Sequence, residues 1–191
     1  MSNLSVALVH YPVYNKHRNL VTTAFTNLDI HDIARTARTF GLSRYYLVTP
    51  SPEQQQLIQR ITRHWETGWG AGYNPDRREA LSIVSTVATL ADAIQDLHQS
   101  SGHPVTTLVT GATRRPGAMS FASIRERLQK KNCHYLLILG TGWGLADELF
   151  ENADMILEPI IGNSTYNHLP VRSALAIMLD RLVGSYYNNI P

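Results

Sequence analysis

Four short apolar runs constrain this chain more than anything else in it. Residues 4–10 (LSVALVH), 45–48 (YYLV), 105–110 (VTTLVT) and 135–139 (YLLIL) read as strands buried on both faces. Helix signals fill the intervals. Asn27 or Asp29 is placed to cap a helix running to about Phe40 and stopped by Gly41, and Ser51-Pro52-Glu53 opens a second that runs to about Trp65. Further helices are predicted over residues 90–99, 121–131 and 171–183, with a short acidic one over 146–151. Weaker strands are expected at 81–84 and 155–157, and the glycine-rich stretch 68–75 reads as a loop. Strands alternating with helices at this spacing predict one α/β domain over residues 1–191, with a mostly parallel sheet covered by helices on both faces.

Composition narrows the function classes. The chain has 191 residues and is 43% apolar, enough for one full core, yet no stretch approaches the roughly 18 consecutive apolar residues of a membrane span. Its start lacks the features of a signal peptide. Cys133 is the single cysteine, which excludes an internal disulfide, argues against a cysteine-rich metal site and fits a cytoplasmic protein. The histidines show no metal-ligand spacing, so no metal is expected.

Net charge is only +2, but its distribution is uneven. Arg114, Arg115, Arg125, Arg127, Lys130 and Lys131 face the single acid Glu126, whereas no Lys or Arg lies between Lys131 and Arg172. A basic face beside a neutral-to-acidic one suits a polyanion held next to a small-molecule pocket; ordinary solvated surface gives the same pattern. Arg60, Arg63, His64, Trp65, Trp69 and Tyr73 mix cations with rings, a composition that stacks bases or packs a helix end on the core.

In parallel sheets, ligands bind beyond the C-terminal ends of the strands. Three loops follow strand-like runs here: 111–117 (GATRRPG), 140–144 (GTGWG) and 162–170 (GNSTYNHLP). The second is not a P-loop, because no Gly-Lys-Ser/Thr follows. It is not the dinucleotide fingerprint either, since its spacing differs and the next helix is short and acidic. Such an acidic segment disfavours a pyrophosphate and tolerates a cationic sulfonium.

At these loops the chain resembles the SPOUT methyltransferases. Asp29-Ile30-His31-Asp32-Ile33-Ala34-Arg35-Thr36, followed by Phe40-Gly41, is similar to the first SPOUT motif. Leu136-Leu137-Ile138-Leu139-Gly140-Thr141-Gly142 is similar to the second. Leu157-Glu158-Pro159-Ile160, then Tyr166-Asn167-His168-Leu169, then Ser173-Ala174, is similar to the third. More closely, the chain is similar to a small bacterial SPOUT group found alone or fused to the tRNA guanine-N1 methyltransferase. It departs from the SPOUT pattern at Asp29, usually Asn, at His31, usually small, and at Gly142, where the 2′-O-methylating branch has Glu.

The resemblance implies a deep C-terminal trefoil knot, an exception to the unknotted-chain rule, with knot and cofactor pocket at about 105–191. It implies an S-adenosylmethionine-dependent RNA methyltransferase acting on tRNA or rRNA as a homodimer. The cofactor would be held around Leu139, Gly140, Thr141 and Gly142, around Ile160 and Gly162, and around Asn167, His168 and Leu169, with Thr110 and Gly111 closing the other side. Arg35 would lie near the reacting group, and Asp29 would take a proton or simply cap its helix. Arg114, Arg115 and Arg38 would meet RNA; Arg114 and Arg115 equally suit the cofactor carboxylate or a solvated loop. The competing function is a non-catalytic module that binds cofactor or RNA and assists a partner tRNA methyltransferase.

Overall fold

The computed structural model describes residues 3–185. Six parallel strands form the sheet: β1 (Leu4–Val9), β4 (Tyr45–Val48), β5 (Val84–Val87), β6 (Val105–Val109), β7 (His134–Gly140) and β8 (Met155–Ile156). Their order is β5-β4-β1-β7-β6-β8. β1 pairs with β4 on one side and β7 on the other, and every one of its side chains is buried. That is why residues 4–10 carry no polar alternation.

Side chains alternate across β1 and divide the core in two. Leu4, Val6 and Leu8 pack with buried residues of α1 (Asn27–Thr39), α2 (Pro52–Glu66), α4 (Pro75–Leu81), α6 (Phe121–Leu128) and α8 (Val171–Val183). Ala7 and Val9 face the opposite layer, where α5 (Leu90–Ser101) contributes Ala93 and Leu97, and α7 (Asp147–Glu151) contributes Phe150. Helices therefore cover both faces, as the alternating pattern predicts.

Local chemistry explains where the sequence expectations shift. α1 is capped by Thr26, not by Asn27 or Asp29; Asp29 instead completes a capping box, accepting from the Thr26 amide at 3.2 Å and hydroxyl at 2.6 Å. Residues 68–75 are not simply a loop. They form the single-turn α3 (Trp69–Tyr73) and the start of α4, whose first amides are capped by the Asn74 side chain, accepting from the Arg77 amide at 2.9 Å. α4 absorbs Leu81, so the weak strand expected at 81–84 starts only at Val84. α6 ends at Leu128, before the Lys130-Lys131 pair.

A hairpin that the sequence does not announce follows β1. β2 (Val13–Tyr14) and β3 (Leu20–Val21) are two residues each, too short for any period to show. Asn15 holds the turn, its side-chain oxygen accepting from the amides of His17 at 2.8 Å and Asn19 at 3.0 Å. Arg18 occupies that turn at φ 64°. Among the described residues, no helix is long and apolar enough to cross a membrane.

Candidate active site

The three glycine loops, far apart in sequence, converge beyond the C-terminal ends of β6 and β7. They enclose a cleft of about 630 Å³, within the usual range for a small-molecule site. Its floor is buried and mostly apolar: Leu139, Leu145, Ile160 and Met178, with Thr110 beside them. Its rim is exposed, with Trp143 at 67%. No Asp or Glu lines it, and His168 supplies the one imidazole among the described lining residues.

Two hydrogen-bonded seams hold the loops in place. The first joins the 140–144 loop to the hairpin, as Tyr14 donates to the Gly144 carbonyl and accepts from the Trp143 amide, both at 2.9 Å. This seam dictates Gly142. Its φ is 59°, and an added Cβ would lie 2.9 Å from the Tyr14 carbonyl oxygen, so a side chain is excluded twice over. Thr141 anchors the loop to the sheet, donating to the Val9 carbonyl at 3.1 Å and contacting the Thr23 hydroxyl. In the second seam, Asn167 reaches across and donates to the Ala112 carbonyl at 3.2 Å, tying the third loop to the first.

Thr110, Gly111, Leu139, Gly140, Thr141, Gly142, Ile160, Asn167, His168 and Leu169 all line this cleft, whereas Gly162 does not. Arg115 lines it and Arg114 does not. Within one chain, Arg35 and Arg38 lie elsewhere, in a shallow groove between α1 and α4 where Arg38 is ion-paired with Glu79. Asp29 is 7% exposed, engaged in its cap and absent from the cleft lining.

Sequence reasoning missed one cluster at the rim. Asp147 accepts from Arg18 and from Arg115, both at 2.7 Å, and from the Tyr14 hydroxyl at 3.2 Å. The hydrogen bond from Arg115, with the nearby charges of both arginines, holds the Asp147 carboxyl below its ordinary pKa. The Arg18 guanidinium lies 4.0 Å above the Tyr14 ring, and Arg115 lies 3.8 Å from the Phe150 ring centre. Arg18 and Asp147 are 129 positions apart, so no local motif announces their meeting.

Comparisons with known proteins bear on the family and the fold. Residues 3–184 match the family described as SAM-dependent RNA methyltransferase. A tRNA (guanine-N(1)-)-methyltransferase of Oleidesulfovibrio alaskensis is 47% identical over 182 residues, 95% of this chain and 42% of that protein. The chain thus spans about two-fifths of the length of that relative, and the same holds for its counterpart from Nitratidesulfovibrio vulgaris, at 43%. An uncharacterized protein of Aquifex aeolicus is 38% identical over 94% of this chain and 88% of its own length. Among solved structures, the SpoU methyltransferase AviRb from Streptomyces viridochromogenes, in complex with the cofactor AdoMet, shares the fold. It matches with a TM-score of 0.58 and 12% identity over 99% of this chain and 63% of that one. The fold is that of the SPOUT methyltransferases, and the chain belongs to the family of SAM-dependent RNA methyltransferases.

Proposed function

We propose that the cleft binds S-adenosylmethionine and that the chain transfers its methyl group to a tRNA or rRNA. One observation carries the reading: three glycine loops, following β6, β7 and β8, close on a single cleft with a buried apolar floor. Such a cleft suits a small ligand with an aromatic base and an amino-acid-derived sulfonium chain. Thr110, Gly111, Leu139 to Gly142, Ile160 and Asn167 to Leu169 would hold it, chiefly through the main chain. Gly162 and Arg114, outside the lining, are assigned no contact with it.

Bound there, the cofactor supplies an electrophilic methyl group on a sulfonium. The protein's part is to align the acceptor and ease removal of its proton. Asn167 and His168 face the cleft from the third loop and are suited to orienting an acceptor. Asp29 is read as a structural cap. Arg35 has no access to the cleft of its own chain, which fits a homodimer in which it serves the cleft of the second copy. Exposed Ile161, Tyr166 and Leu169 beside the third loop, and Leu28 on α1, are suited to such a contact. The SPOUT likeness supports a knotted C-terminal segment, and the tRNA methyltransferase relative supports tRNA as substrate in the cytoplasm.

A second reading keeps the cofactor and drops the chemistry. Because the tRNA methyltransferase relatives are more than twice as long, the chain also fits a module that assists a partner methyltransferase. Tritiated methyl incorporation from S-adenosylmethionine into bulk RNA separates the two. The enzyme labels RNA, and Arg35→Ala lowers labelling by at least roughly tenfold. Cofactor binding without labelling supports the module, and equal labelling by the variant removes Arg35 from the mechanism.

A further inference from the structure

We propose that the mouth of the cleft is a nucleotide subsite for the acceptor RNA, in which Arg18 and Arg115 take a phosphodiester and Trp143 stacks a base. The inference rests on the reading of the cleft as a methyl-transfer site and adds where the RNA strand enters it.

The two arginines come from different elements, the β2–β3 hairpin and the 111–117 loop, and are fixed at one spacing by the shared carboxylate. Asp147 Oδ2 takes Nη2 of Arg18, and Oδ1 takes Nη2 of Arg115, both at 2.7 Å. Each guanidinium carries five N–H donors. Among the described residues, no other carboxylate or carbonyl engages the remaining side-chain donors of either arginine. Within this cluster two cations face one anion, with Glu148 and Glu151 further along α7. The Tyr14 and Phe150 rings beneath the guanidinium planes limit their freedom, so less order is lost when an oxyanion docks.

Exposure sorts the ligands along the cleft. Leu139, Leu145 and Met178 at the floor are nearly fully buried, whereas the Arg18 side chain is 63% exposed and Trp143 67%. The floor suits a small molecule; the rim is open to a strand. The Trp143 amide donates to the Tyr14 carbonyl, so its backbone is tied to the hairpin that carries Arg18. A guanidinium pair beside an unpacked indole is the composition that holds single-stranded nucleotides. The carboxylate of the cofactor is the other oxyanion that such a pair fits, and it must be separated by experiment.

The test is filter binding of unfractionated bacterial tRNA between roughly 50 and 200 mM salt. It is paired with cofactor titration, on wild type, Arg18→Gln, Trp143→Ala and Trp143→Phe. Arg18→Gln is expected to weaken tRNA binding roughly tenfold and to lower the salt slope by about one. Its affinity for S-adenosylmethionine is expected to stay unchanged. Trp143→Ala weakens tRNA binding, and Trp143→Phe restores most of it. The proposal is overturned if Arg18→Gln loses affinity for S-adenosylmethionine but not for its decarboxylated analogue, because the oxyanion is then the cofactor carboxylate. It is also overturned if Arg18→Gln leaves the tRNA affinity and salt slope unchanged, since the arginines then only clasp the loops, or if wild type retains no tRNA. A wild type that binds tRNA in this manner but no cofactor instead removes the reading of the cleft.

Discussion

His10 directly follows β1, is fully buried and joins the cleft loop through a chain of hydrogen bonds. Thr141 donates to the Val9 carbonyl, its hydroxyl meets that of Thr23, and the Thr23 hydroxyl lies 3.1 Å from His10 Nδ1. His10 Nε2 is buried and unpartnered among the described residues, which suits a neutral imidazole. Burial lowers its pKa from 6.5 to about 4. Between those values the unfolded chain takes a proton that the folded one refuses, so stability present above pH 6.5 is lost as pH falls toward 4. The loss from this residue is about 3 kcal/mol. His31 and His134 are also shifted down by burial and add to the slope. Urea unfolding across this window should show His10→Gln losing clearly less stability than wild type on acidification. Parallel curves would refute the assignment. At this scale Asp29 was legible as a residue with two possible jobs, and the structure shows it in a reciprocal cap three positions after Thr26.

Elements were legible where a period had room to show. The buried strands, α1, α2 and α8 follow from apolar runs, caps and glycine stops. The hairpin was not, because two-residue strands carry no pattern and its partners, Trp143 to Leu145, lie more than 120 residues away. The 68–75 stretch misled because its glycines outweighed the Asn74-Pro75 cap signal at the start of α4. The hairpin matters because its carbonyls shape the 140–144 loop. Gly142→Ala brings a Cβ within 2.9 Å of the Tyr14 oxygen and imposes a left-handed conformation on a β-carbon residue. Backbone strain of about 1–3 kcal/mol follows. The variant should melt earlier and bind S-adenosylmethionine at least roughly tenfold more weakly. Unchanged melting and affinity would show that the hairpin does not set the loop.

At the scale of the molecule, a continuous parallel sheet brings the C-terminal ends of β6, β7 and β8 together, and the cleft is where the loops that follow them meet. Composition and pattern carried the class of fold and the three loops, because glycine loops after strands mark ligand positions in any parallel sheet, whereas Thr110, Leu139 and Ile160 came from the SPOUT resemblance. They could not give the rim. The meeting of Arg18, Arg115 and Asp147 is a property of the closed fold and not of any segment of it. The same limit applies to Arg35, which the motif marks and the single chain leaves outside the cleft.

The central claim is that this cleft is built for the methyl donor. Calorimetric titration of the chain with S-adenosylmethionine tests it directly. Saturable heat is expected at one ligand per 21.4 kDa chain, competed by the demethylated product. No detectable heat at millimolar ligand would contradict the account.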